Sequence, residues 1–273
     1  MAPYQHRTIR VGNIKTHFLE AGTGPDLVLL HGGEYGASAE ITWKHSIESL
    51  AQQFHVLAPD VLGWGETDKI YSFSDPAGYR ISHMKRFLET LGVSKAYFVG
   101  NSAGGGLILR ASVLDPAPFQ IRKMVTICGN ASVFKTESQA DLENYAPSLV
   151  NMRKIVALLY HDPKWQSEEN IRERYESSII PGAWEALSAA RLRSPVHQAR
   201  SSTEEFVKKL SQLRVPLLII SCEHDPLNQK DWDSNFQKIV PGSKVHRFKH
   251  SAHEPQIEEA EEFNRVLSDF LLS

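Results

Sequence analysis

Cysteine is scarce in this sequence, and what is present forms no pattern. Cys128 and Cys222 are the only two in 273 residues, and each sits inside an apolar run. Two such residues make no disulfide framework of the kind that staples small secreted domains. A free cysteine in apolar surroundings is ordinarily a buried thiol. Long hydrophobic runs are missing too. None approaches the roughly 20 residues that a membrane span requires. The N-terminal segment MAPYQHRTIRVG lacks the apolar core of a secretory signal. The expectation is a cytoplasmic protein with no membrane partner. Charge of one sign is not in excess: 30 Lys and Arg stand against 32 Asp and Glu, a formal charge of -2. With no clustered positive charge there is no footprint for nucleic acid. Internal repeats and low-complexity tracts are absent as well.

What is present is an ordinary globular composition, 41% hydrophobic and 23% charged, on a chain long enough to bury a large core. RTIRVG and IKTHFLEAG, joined by Gly12-Asn13, read as an opening hairpin. Strand-like runs follow at 26–32, 54–60, 96–102, 123–129, 215–221 and 244–250. Four are dense in Val, Leu and Ile, as in strands covered on both faces. Helical patterns over 40–51, 77–91, 103–114 and 255–272 alternate with them. This alternation predicts an α/β fold, a mostly parallel sheet with helices on both faces. From about 132 to 205 the alternation stops. Helical segments there are separated by Pro163, Pro181-Gly182 and Pro195. The reading is a helical cap at 132–205 inserted before the late strands, on a core formed by 1–131 and 206–273.

FVGNSAGGGLILR carries the chemistry. A strand runs into Gly100-Asn101-Ser102-Ala103-Gly104 and then into a helix, the context that a G-x-S-x-G nucleophile elbow requires. The tight turn lifts the Ser102 hydroxyl clear at a helix N-terminus. The flanking glycines let strand and helix pass without collision. The N–H of Ala103 is placed to face an oxyanion. A Gly-rich turn that merely packs is the competing reading of the motif.

A serine hydroxyl is a weak nucleophile until a base takes its proton, and elbow serines of this kind are followed along the chain by an acid and then a histidine. VPLLIISCEHDPLN offers Asp225 just past a strand, with Glu223 as competitor nearer the strand end. KVHRFKHSAHEPQIEE offers His253 in the loop before the helix-starting Glu254-Pro255, whereas His246 and His250 lie within or at the end of the strand. The loop His31-Gly32-Gly33 after the first core strand supplies the second oxyanion donor, Gly33, whose N–H has no Cβ in the way. No cofactor is implied. His246, His250 and His253 lack a carboxylate at ligand spacing, and no Gly-rich dinucleotide fingerprint follows the first core strand.

Together these residues resemble the α/β-hydrolase superfamily across the whole chain. HGGEYGASAEITWKHSIESLAQQFHVLAPDVLGWGETDK, VGNSAGGGLILR and the cap segments NMRKIVALLYHDP and IRERYESS are similar to the meta-cleavage product hydrolases. Those enzymes cleave a carbon–carbon bond of vinylogous 1,5-diketones in aromatic degradation. The resemblance implies an α/β-hydrolase fold and a small-molecule substrate. It places Asn101 and a cap arginine at the substrate; Arg174 is the match by position and Arg172 the alternative. It also leaves room for a homo-oligomer, a dimer or larger. Three positions depart from the family pattern: Glu34-Tyr35-Gly36 stands where a Gly-Pro-Gly turn is usual, Thr42 precedes Trp43 where an Asn is usual, and Glu254 follows the histidine where a Trp is usual. With Gly32 these are expected to border the pocket, Glu254 adding a negative charge to an apolar wall.

The function expected is attack of Ser102 on a carbonyl, with carbon–carbon hydrolysis first and a carboxylesterase or lactonase second. A receptor that uses the same pocket to bind a ligand is a third reading. The aspartate-nucleophile chemistry of dehalogenases and epoxide hydrolases is excluded by the serine at the elbow.

Overall fold

The structure is a computed structural model that describes residues 4–134, 136–192 and 203–273. Pro195, one of the expected cap separators, and its neighbours at 193–202 lie outside the described residues.

Eight strands form one sheet: β1 (Gln5–Val11), β2 (Ile14–Ala21), β3 (Asp26–Leu30), β4 (His55–Pro59), β5 (Lys95–Asn101), β6 (Gln120–Ile127), β7 (Leu217–Cys222) and β8 (Lys244–Phe248). Their order is β1-β2-β4-β3-β5-β6-β7-β8. The β1–β2 hairpin turns at Gly12, whose φ of 61° suits glycine, and pairs Val11 with Ile14. It joins β4 antiparallel, and every later pairing is parallel. The expected α/β sheet is the observed one. Its middle strands are apolar almost without break because helices cover both faces: Leu27–Leu30, Phe98–Val99 and Leu217–Ile220 are all buried. In the edge strand β8 only Phe248 is fully buried, so its sequence is mixed.

Several helices differ from the periodicity reading. The run expected over 40–51 is two short helices, Ala39–Trp43 and Ile47–Leu50, parted by a turn in which the Ser46 N–H donates to the Trp43 carbonyl. The run expected over 255–272 breaks at Glu259 into Pro255–Glu258 and Ala260–Leu272. The break has a visible use. The Glu258 and Glu259 carboxylates accept the N–H groups of Ala252 and His250, and Glu259 also takes the Ser251 hydroxyl. A polar clamp thus fixes the loop that carries His253. The helix Trp232–Ile239, between β7 and β8, was not expected, though Trp232 and Phe236 stand four apart and bury one face.

Between β6 and β7 the chain makes the expected helical excursion. It comprises Ser138–Glu143, Leu149–Leu159, Glu168–Ser178 and Ala183–Ser188, with 3-10 turns at Pro163–Gln166 and Ala189–Arg191. Met152, Ile155, Val156 and Ile171 form its own apolar cluster, completed by Tyr35 and Leu227 from loops of the sheet layer and by Ile257 of the helix Pro255–Glu258. The boundary expected at 205/206 falls inside the helix Thr203–Leu210. That helix packs Phe206 and Leu210 with Phe98 and Met124 of the sheet layer.

Phe98 is fully buried beside Phe119, their ring centroids 4.8 Å apart. Phe98→Ala is expected to cost about 3–5 kcal/mol of stability by leaving a cavity under the elbow strand. Urea unfolding measures it, and a loss below about 1 kcal/mol would mean that this layer is not the close-packed core described.

Candidate active site

At the end of β5, Ser102 has φ 50° and ψ -113°, a conformation that a residue with a Cβ rarely adopts. Close backbone packing holds it there. A Cβ on Gly100 would come within 2.4 Å of the Gly104 carbonyl carbon, and one on Gly104 within 2.5 Å of the Leu30 carbonyl oxygen. The Ser102 N–H donates to the Ile127 carbonyl at 2.7 Å, which pins the turn to β6. Ser102 is the N-cap of the helix Ala103–Ser112, yet its side chain makes no capping bond. The hydroxyl therefore stays available at the cavity wall.

The loop after β7 presents Asp225. Its Oδ1 accepts the Leu227 N–H at 2.9 Å, an Asx-type turn. Its Oδ2 accepts the Asn228 amide at 2.7 Å and pairs with His253 Nδ1 at 3.0 Å. Burial alone would raise the Asp225 carboxyl. The facing His253 charge and these hydrogen bonds outweigh burial and hold the carboxyl below its ordinary range. For His253, burial would disfavour the charged form, but Asp225 outweighs it and moves the imidazole well above its ordinary value. The second ring nitrogen, Nε2, is buried and has no hydrogen-bond partner among the described residues. The His253 N–H donates to the Leu159 carbonyl at 2.9 Å, so the helical excursion helps to place this loop.

Opposite the elbow lies the loop after β3. A Cβ on Gly33 would approach the Ala103 Cβ to 2.7 Å, so glycine is needed for the two oxyanion-donor candidates to lie side by side. His31 is a structural member. The Val61 N–H donates to its Nε2, which leaves Nδ1–H to donate to the Gly32 carbonyl, and burial lowers its pKa.

Ser102, Ala103, Gly32, Gly33, Glu34 and His253 all line one cavity of about 510 Å³, a volume suited to a small organic ligand. Asp225 stands behind His253. The competing candidates point elsewhere: Glu223 is exposed beside Arg247, His250 is exposed, and His246 faces Glu262 at 3.5 Å. Among the described residues, Cys128, Asp225 and His253 have ligand-type atoms within 4.8 Å of one another. The carboxylate there is already committed to His253 and Asn228, and burial keeps the Cys128 thiol protonated. That donor set suits proton transfer better than a metal ion. Cys128 Sγ lies 3.6 Å from Cys222 Sγ, both buried.

Five expected substrate contacts need correction, because none of them lines this cavity. Thr42 and Trp43 are fully buried, and Trp43 packs toward Phe263. Asn101 is fully buried and donates to the His253 carbonyl at 3.1 Å, so it supports the histidine loop. Arg174 is 1% exposed and donates to Glu34 Oε1 at 2.8 Å, to Glu254 Oε2 at 2.5 Å and to the Tyr160 hydroxyl at 2.6 Å. Tyr160 in turn donates to Glu254 at 2.7 Å. Glu254 thus faces a buried cation instead of the pocket, and Glu34 reaches the wall with its carboxylate tied back. Burial would raise Glu34, but Arg174 outweighs it and holds this carboxyl low. Glu254 is raised by burial, since one arginine cannot fully compensate two carboxylates. Arg172, the alternative, is exposed. Sequence reasoning missed Asn228, although Asp225-Pro226-Leu227-Asn228 is an Asx-turn signal. It also missed the wall residues Trp64, Tyr71 and Arg80.

The arrangement of a strand-end serine, a carboxylate-backed histidine and a glycine loop under a helical excursion defines an α/β hydrolase. The chain belongs to the alpha/beta hydrolase family, whose sequence model matches residues 27–266. It is 27% identical to a 2-hydroxy-6-oxo-2,4-heptadienoate hydrolase of Pseudomonas putida, covering 97% of this chain and 95% of that protein. It is 29% identical to a 2-hydroxymuconate semialdehyde hydrolase of Pseudomonas putida, covering 99% and 95%. Among solved structures it is similar to the meta-cleavage product hydrolase CumD of Pseudomonas fluorescens IP01, with a TM-score of 0.85 and 28% identity over 97% of this chain and 96% of that one.

The buried charge cluster makes a prediction about stability. Arg174→Met leaves two buried carboxyl groups without their cation and is expected to cost about 3–5 kcal/mol. Glu254→Gln removes the surplus charge, keeps an acceptor for Tyr160, and is expected to cost less than about 1 kcal/mol. Denaturant unfolding ranks the two, and the reverse order would contradict this assignment of charge.

Proposed function

We propose that the protein hydrolyses a carbon–carbon bond next to a ketone in a small dienoate-type compound, with Ser102 as nucleophile, His253 as base and Asp225 as the residue that orients it. The observation carrying this reading is His253. It is buried, held by Asp225 through Nδ1, without a hydrogen-bond partner at Nε2 among the described residues, and lines the same cavity as Ser102, whose side chain makes no capping bond. The length-wide likeness to enzymes named for 2-hydroxy-6-oxo-dienoate and 2-hydroxymuconate semialdehyde substrates supports the bond type.

In this reading the substrate is first held as its keto tautomer. Ser102 Oγ attacks the carbonyl carbon as its proton passes to His253 Nε2, and Asp225 stabilises the imidazolium. The N–H groups of Gly33 and Ala103 receive the oxyanion; loss of one such donor typically costs ~10²–10³ in rate. When the tetrahedral species collapses, the carbon–carbon bond breaks, and its electron pair enters the conjugated system as a dienolate. His253 returns the proton to that fragment. Water, deprotonated by His253, then attacks the acyl carbonyl and releases Ser102 with a carboxylic acid. The helices and turns between Ser138 and Arg191 serve as the cap over the cavity.

Hydrolysis of a small ester or lactone is the second reading. One observation favours it: Arg174, the cation expected for a dienoate, is bound to Glu34 and Glu254 away from the cavity. An alkoxide leaving group needs neither ketonisation nor that cation.

Decay of dienolate absorbance, measured beside p-nitrophenyl acetate hydrolysis, separates the readings. Fast dienolate decay that Ser102→Ala abolishes is the expected result; turnover of esters alone moves the assignment to the second reading. The pH profile adds a check. His253 must be neutral to act as base, and Asp225 raises its pKa. The acidic limb of kcat/KM should therefore lie above the roughly 6.5 of an unperturbed imidazole. In Asp225→Asn that limb should move down while kcat falls by about 10⁴. An unmoved limb would overturn the assigned pairing.

A further inference from the structure

With Arg174 committed elsewhere, the cavity's charge must be read from the residues that do line it. Glu34 reaches the wall with its carboxylate paired to Arg174, and Arg110 and Arg191 line the wall while donating to the Ala131 and Tyr145 carbonyls. Arg80 contributes a guanidinium of another kind. It projects from the helix Pro76–Thr90 and is half-buried in the cavity wall with Trp64 and Tyr71. Its guanidinium carbon lies 4.6 Å from the centroid of the Trp64 ring, and the Trp64 Nε1–H donates to the Glu34 carbonyl at 3.1 Å. The indole is thus fixed at one edge, and the guanidinium stacks on its face. The sole hydrogen bond Arg80 makes among the described residues is a long one, from Nε to the Leu62 carbonyl at 3.4 Å. Its two terminal nitrogens have no hydrogen-bond or ion-pair partner among the described residues, and no carboxylate offsets its burial.

A charge taken out of water without a counter-ion is costly. A planar fork held over an aromatic ring, with its outer N–H groups unpaired among the described residues, can receive a carboxylate through two parallel bonds. Val61, Leu107, Leu142 and Leu187 supply an apolar stretch of a wall that also carries Asn130, Asn228, Arg110 and Arg191. These facts orient a ligand: its carbonyl at Ser102, its apolar body along the leucines, its anionic end at Trp64 and Arg80.

We propose that Arg80, stacked on Trp64, is the subsite for a substrate carboxylate, and that it takes the part in charge recognition that Arg174 cannot take here. The subsite rests on the reading of Ser102 as nucleophile on a carbonyl, and it holds for a dienoate or for an acid-bearing ester alike.

The test separates charge recognition from turnover. Equilibrium binding of p-nitrophenyl hydrogen glutarate and of its methyl ester is measured on Ser102→Ala, with and without Arg80→Gln, and with Arg80→Lys. The acid should bind more tightly than the ester when Arg80 is present. Arg80→Gln should weaken acid binding by roughly 10- to 100-fold, the size expected for a hydrogen bond to a charged group, and change ester binding by less than about threefold. Arg80→Lys should fall between, because it keeps the charge and loses the fork. The matching readout in active enzyme is a rise in KM for the acid that clearly exceeds the rise for the ester. Equal loss for both ligands would make Arg80 a structural residue. No preference for the acid, or no change in Arg80→Gln, would overturn the subsite. If the acid preference is present while no dienolate is consumed, the subsite stands and the carbon–carbon reading falls.

Discussion

The geometry of the site depends on a backbone crossing at which there is no room for a side chain. Gly100 and Gly104 bring β5, the helix that follows it and the end of β3 to contact distances that a Cβ would violate. That crowding is what lets Ser102 stay at a φ of 50°. Strain of this kind persists only where the surroundings over-determine it. Because the same crossing sets Ser102 at the head of a helix and against the loop of Gly33, one constraint fixes both the proposed nucleophile and the proposed oxyanion donors.

A second layer of order comes from charges that never meet solvent. Asp225 and His253 form one buried pair, and Arg174 with Glu34, Glu254 and Tyr160 forms another group a residue away. The second group ties a helix of the excursion to the loop of Gly33 and to the residue after His253. It therefore links three segments whose relative positions decide the cavity's shape. Such a network contributes little net stability against an apolar core, but removing its one cation is expensive. Its main effect is to specify one arrangement of these segments, and its cost is that the cap arginine is no longer free to meet a ligand.

The sheet was readable because its strands are covered on both faces and so spell out continuous apolar runs. The elbow was readable because its glycines answer a steric demand local in sequence. The fold brings Ser102, His253, Gly33 and Ala103 to one cavity, with Asp225 hydrogen-bonded to His253 behind it. What failed to show was what depends on distant partners. Nothing near Arg174 in the chain reveals that Glu34 and Glu254 converge on it, so a buried tie looked like a ligand contact. Arg80 had the opposite fate: one arginine in an amphipathic helix reads as a solvated face until Trp64 is seen beneath it. Periodicity also carried two helices through a backbone turn at Ser46 and through the break at Glu259, whose carboxylate is held by the loop of His253; no hydrophobic pattern registers either.

The central claim is that Ser102 carries the acyl group. Mass spectrometry of a rapidly quenched mixture of the enzyme with p-nitrophenyl acetate tests it most directly. The account predicts one acetyl group on the peptide that contains Ser102, and loss of that label in Ser102→Ala. Labelling of Cys128 instead, or the same adduct in Ser102→Ala, would contradict it.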